Sequence, residues 1–74
     1  MELSNEEKAT IVNQHIKTAK VNEYNFHLSL LALQASDNPD SVVIAGVQKQ
    51  MDTEILKQQV LQQEIDSLNA TPQI

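Results

Sequence analysis

Ser36-Asp37-Asn38-Pro39-Asp40 stands at the midpoint of a 74-residue chain and separates two apolar patterns of matched length. Proline fixes its own φ and has no N–H, so it fits the first turn of a helix and disfavours continuing one. It also pushes the preceding residue out of the α region, which makes Asn38 a natural N-cap for a second helix. The stretch therefore reads as the end of one helix and the start of another, with a turn at residues 36–38.

On the N-terminal side no Gly or Pro interrupts the chain, and Val12, Ile16, Ala19, Glu23, Phe26, Leu30 and Leu33 succeed one another at alternating steps of four and three. That is a heptad seam with one charged member. Ser4-Asn5-Glu6-Glu7 supplies its start: the Ser4 hydroxyl can accept from the Glu7 amide while the Glu7 carboxylate reaches back to the Ser4 amide. Two acids in that turn also suit the positive end of the helix dipole. Thr18, Asn22, Asn25 and Ser29 gather on a second, polar face, as an amphipathic helix requires. A helix over residues 4–35 is predicted.

On the C-terminal side the seam reads Ile44, Val47, Met51, Ile55, Gln58, Leu61, Ile65 and Leu68. Ile44 to Ile55 spans an eleven-residue step, which predicts a straighter, drifting seam. Asn69 and then Thr71-Pro72 end a helix over residues 39–69. Each helix is then about 45 Å long at 1.5 Å per residue. Matched lengths and a short connection predict a single all-α domain over residues 1–74, two long amphipathic helices folded into an antiparallel hairpin. A proline-kinked rod is the lesser alternative.

Composition removes most chemistry. There is no Cys, hence no disulfide, thiolate metal site or thiol nucleophile, and one Gly excludes a Gly-rich phosphate loop. Five lysines, no arginine and a net charge of −5 argue against direct nucleic-acid binding. The longest apolar run, residues 42–47, is far too short to cross a bilayer, and Met1–Glu7 is acidic rather than signal-like, so a cytoplasmic protein is expected. His15 and His27, twelve residues apart, sit about 120° apart around one helix axis and cannot chelate one ion together. Glu23 and His27, at i and i+4, read better as an ion pair on the helix surface than as a weak metal site. The five serines form no triad pattern with an acid and an imidazole. No catalytic residue, metal or cofactor is expected, and the chain is read as a non-enzyme. Nine Gln and six Asn give a neutral, hydrogen-bonding surface, with Gln58-Gln59 and Gln62-Gln63 one turn apart.

A chain this small has a thin core, and its apolar stripes are wider than one helix–helix contact needs. Leu28 and Leu31 on the first helix and Leu56 and Val60 on the second flank the seams, with Tyr24 as the aromatic left for an external contact. These five are the candidate partner-binding residues. The partner is expected to be a second copy, a dimer forming a helical bundle, or another protein. Polar Glu23 and Gln58 either set register within the seam or mark where it reaches solvent.

The stretch Ile11-Val12-Asn13-Gln14-His15-Ile16-Lys17, with Val21-Asn22-Glu23-Tyr24-Asn25-Phe26-His27-Leu28-Ser29-Leu30 after it, resembles small helical proteins encoded by tailed bacteriophages, those of marine cyanobacteria among them. In layout the resemblance covers residues 11–68. It implies a virion component or assembly accessory and offers no catalytic residue to carry over. The expected function is structural or assembly work by helix packing. The alternative is an acidic regulator of a host enzyme or nucleic-acid-binding protein, which the dispersal of the ten acids among five lysines disfavours.

Overall fold

A computed structural model describes residues 2–70. It contains two helices of 30 residues each, α1 (Asn5–Gln34) and α2 (Ser41–Ala70), packed against each other along their lengths. Contacts between distant parts of the chain give the direction. The Asn5 side-chain amide donates to the Leu68 carbonyl at 3.4 Å, and Gln58 meets Glu23 nearer the turn. The pairing is antiparallel, and the molecule is an all-α helical hairpin.

The start of α1 is built as its sequence dictates. Ser4 is the N-cap, its hydroxyl accepting from the Glu7 amide at 3.1 Å while the Glu7 carboxylate accepts from the Ser4 amide at 3.1 Å. Ala35 closes the helix by donating to the Leu31 carbonyl. The second helix begins differently from expectation. Asp40, not Asn38, is the residue that caps it. One Asp40 carboxylate oxygen accepts from the amides of Val42 and Val43 at 2.9 and 3.3 Å, and the Asp40 carbonyl accepts from Ile44. With Asp40 as the cap, Pro39 lies just outside the helix and α2 starts at Ser41 rather than at residue 39. The connection is correspondingly longer than three residues. At the other end α2 reaches Ala70, and the Thr71-Pro72 stop lies outside the described residues.

The α1 seam faces α2 as its spacing requires: Ile16, Ala19 and Leu30 are buried, and Val12, Glu23, Phe26 and Leu33 are half-buried. The α2 seam is corrected at one position. Glu54 is 8% exposed, whereas Ile55 beside it is only half-buried. With Glu54 included, Ile44, Val47, Met51, Glu54, Gln58, Leu61, Ile65 and Leu68 alternate at steps of three and four without a break. The heptad is continuous, and the eleven-residue step disappears. Ile55 lies on one flank of the line that Glu54 joins.

Two helices enclose little. Ile16, Ala19, Leu30 and Ile65 are the buried hydrophobic side chains among the described residues, and none of the described side chains is completely sealed from solvent.

Candidate functional site

Because the helices touch along one line, a furrow runs down each side of it. The larger is an open groove of about 550 Å³ bounded by His15, Thr18 and Asn22 of α1 and by Thr53, Glu54, Leu56, Lys57, Val60 and Leu61 of α2. The hydroxyls of Thr18 and Thr53 donate to the carbonyls of Gln14 and Lys49 one turn earlier, so their protons are committed to their own helices. The groove's remaining polar groups are the His15 imidazole, the Asn22 amide, the Lys57 ammonium and one carboxylate.

That carboxylate belongs to Glu54. Its Oε1 accepts from Lys57 Nζ at 3.1 Å, one turn along α2. Its Oε2 is buried and has no hydrogen-bond partner. The two ends of the pair differ sharply in setting: the Lys57 side chain is 56% exposed and the Glu54 side chain 10%. A buried acceptor without a donor is costly, and the acid is held inward by its place in the heptad. Sequence reading missed Glu54 because an acid flanked by an apolar neighbour invites the apolar residue into the seam. The strict three-four count is the signal that finds it.

The five candidate contact residues divide between two surfaces. Leu56 and Val60 line the groove and are more than half exposed. Tyr24, Leu28 and Leu31 do not join them. Rather than flanking the α1 seam, they continue from Val21 at steps of three, four and three on the side turned away from α2, and all four are exposed. The reason is angular: Leu28 lies two residues from both Phe26 and Leu30, hence about 200° from each around the axis. Val21 belongs to this outer stripe as well, a member that the seam count alone does not pick out. Tyr24 also leans on His27, their ring centroids 6.0 Å apart at an interplanar angle of 36°.

On the opposite flank a smaller groove of about 390 Å³ is lined by Ile16, Lys20, Ile55, Gln58, Gln59 and Gln62. The glutamines here are partly engaged within the hairpin. Gln58 donates to Glu23 at 2.7 Å and Gln62 to Asp66 at 3.1 Å, as Gln48 does to Asp52 at 3.0 Å. Glu23 therefore turns to α2 and not to His27. Among the described residues no group of three or more His, Cys, Asp or Glu side chains is placed to hold a metal ion, and no helix is long and apolar enough to cross a membrane.

The Glu7 carboxyl sits below its ordinary value. The Ser4 backbone N–H, and secondarily the Ser4 hydroxyl, hold it lower, as a cap should. No family model matches the chain, and no curated protein or solved structure matches it.

Proposed function

We propose that the chain is a non-enzymatic structural or assembly protein that works by helix packing, with a second copy of itself as its first partner. The observation that carries this reading is surface area. A compact monomer of 8.3 kDa exposes about 4,600 Å² by the usual scaling with mass. This chain exposes 5776 Å². The surplus, roughly 1,200 Å², follows from the 60 × 16 × 14 Å rod that two helices make, whose long open faces leave room for the ~800 Å² that each partner gives to a standard interface. Val21, Tyr24, Leu28, Leu31, Leu56 and Val60 contribute apolar side chains to it.

The resemblance of residues 11–30 to small phage helical proteins supports a virion component or assembly accessory as the setting. Regulation by acidic mimicry has less behind it. Glu23 and Glu54 turn inward and Glu54 pairs with Lys57, so two of the ten acids are withdrawn from the outward field.

Sedimentation equilibrium and thermal unfolding across a hundred-fold range of concentration test the reading. A dimer whose unfolding temperature rises with concentration is the expected result. A monomer with concentration-independent unfolding, also missing from purified particles, would overturn it.

A further inference from the structure

We infer that a second copy packs antiparallel along α2, about a two-fold axis passing between Leu56 and Lys57, so that Lys49 of each copy meets Glu64 of the other. This rests on reading the chain as a self-associating protein and adds the face, the direction and the register.

Three observations carry it. The first is the order of exposed residues on α2. Lys49, Thr53, Leu56, Lys57, Val60 and Glu64 are spaced by four, three, one, three and four, a pattern symmetric about the point between Leu56 and Lys57. At 3.6 residues per turn they fall within a sector of about 100°. In an antiparallel pair, residues equally far from the axis on opposite sides face each other. Thr53 then meets Val60, Leu56 meets the methylene stem of Lys57, and Lys49 meets Glu64, each contact occurring twice. Parallel packing would set Lys49 on Lys49 and Glu64 on Glu64, so charge selects the direction. The stripe of Val21, Tyr24, Leu28 and Leu31 carries no charge and specifies no register.

The second is the unsatisfied Glu54 Oε2. In this register Lys57 of the second copy comes within two residues of the level of Glu54, about 3 Å along the axis. The ammonium has three donors, and only one is used within the hairpin. Glu54 Oε2 is covered within the hairpin, so a bond to the other copy's Lys57 requires the Glu54 side chain to turn toward the open groove, its other bond being to its own Lys57. The third is apolar exposure on this face: Leu56 is 58% and Val60 56% exposed, and the pairing covers both.

The test is sedimentation equilibrium on the full chain at low ionic strength, where exposed charges are least screened. It compares the unaltered protein with Lys49→Glu, Glu64→Lys and the double exchange, and circular dichroism on the same samples reports helicity. Each single exchange makes two attractive pairs repulsive and should raise the dimer dissociation constant about ten-fold. The double exchange should return it to within about two-fold. All three variants should keep their helicity, because every altered residue is exposed. A dimer indifferent to both single exchanges overturns this face but leaves self-association standing. Weakening without rescue overturns the register. An unaltered chain that stays monomeric overturns the proposal together with the reading beneath it.

Discussion

Gln58 Nε2 donates to Glu23 Oε1 at 2.7 Å, joining the uncharged polar member of one seam to the acidic member of the other across the hairpin. Both residues are half-buried, so neither marks a place where its seam opens to water. The pair fixes how far one helix can slide past the other, because a slip of one heptad would set each against an apolar residue. Glu23→Ala leaves the Gln58 amide facing the helix contact without its acceptor. A loss of about 1–3 kcal/mol is expected from urea unfolding, the cost of leaving a buried polar group without its partner. Replacing both by leucine should recover or exceed the original stability, since an apolar pair of similar size removes both desolvation costs. If Glu23→Ala costs nothing, the hydrogen bond does not stabilise the hairpin in solution.

The buried acid of α2 behaves oppositely. Glu54 occupies an inward heptad position with one oxygen unsatisfied, and its bond to the half-exposed Lys57 is a modest return. Glu54→Leu should raise hairpin stability by about 1–2 kcal/mol when unfolding is followed at low protein concentration, where the isolated hairpin is measured. A fall of similar size would show that the Lys57 bond outweighs the desolvation of the carboxylate.

Most of this architecture is legible in the chain because the deciding features are local and periodic. Ser4 to Glu7 names its own cap, and the α1 seam from Val12 to Leu33 needs only a ruler of threes and fours. What escapes is where two local rules compete. Asn38 and Asp40 both suit an N-cap, and only the path of the chain after Pro39 decides that Asp40 takes the amides. Glu54 and Ile55 compete for one seam position, and hydrophobicity points to one while spacing points to the other. Leftover apolar residues can be named from the chain but not sorted between faces, since a list of leucines carries no angle. Counting from Val21 to Leu31 separates the outer stripe of α1 from the groove that holds Leu56 and Val60.

The turn offers a direct comparison of the two candidate caps. Asp40→Ala removes the acceptor of two amides and should cost about 1 kcal/mol of stability. Asn38→Ala should change little. Equal effects in thermal unfolding would show that the chain uses both residues, and a reversed order would return the cap to Asn38.

Acid should weaken the capped start of α1. The Glu7 carboxyl is held below its ordinary value by the Ser4 amide and hydroxyl, so the folded form binds its proton less readily than the unfolded chain. Its stabilising effect is present in full above the unfolded glutamate value of about 4.3 and is lost as pH falls through the lower folded value. Glu7→Gln should therefore narrow the stability difference between pH 6 and pH 3 relative to the unaltered chain. Ser4→Ala should cost about 1 kcal/mol at pH 6. Parallel pH profiles for the chain and for Glu7→Gln would show instead that this cap does not contribute to acid sensitivity.

Leu31 and Leu56 are both about half exposed, yet they lie on surfaces that one partner helix cannot cover together. That makes them a test of face rather than of hydrophobicity. Burying a leucine is worth about 1.5–3 kcal/mol, and in a two-fold dimer a single substitution acts twice. Gln matches Leu closely in helix propensity, so neither change should unwind its helix. If copies meet along α2, Leu56→Gln should raise the dimer dissociation constant at least ten-fold, while Leu31→Gln leaves it within about two-fold. The reverse pattern in sedimentation would move the interface to the outer stripe of α1 with Val21, Tyr24 and Leu28. Equal sensitivity would require both surfaces to be covered at once, which a dimer cannot do and a larger assembly can. The mass of the unaltered species would then have to exceed that of two chains, and the same experiment reads it.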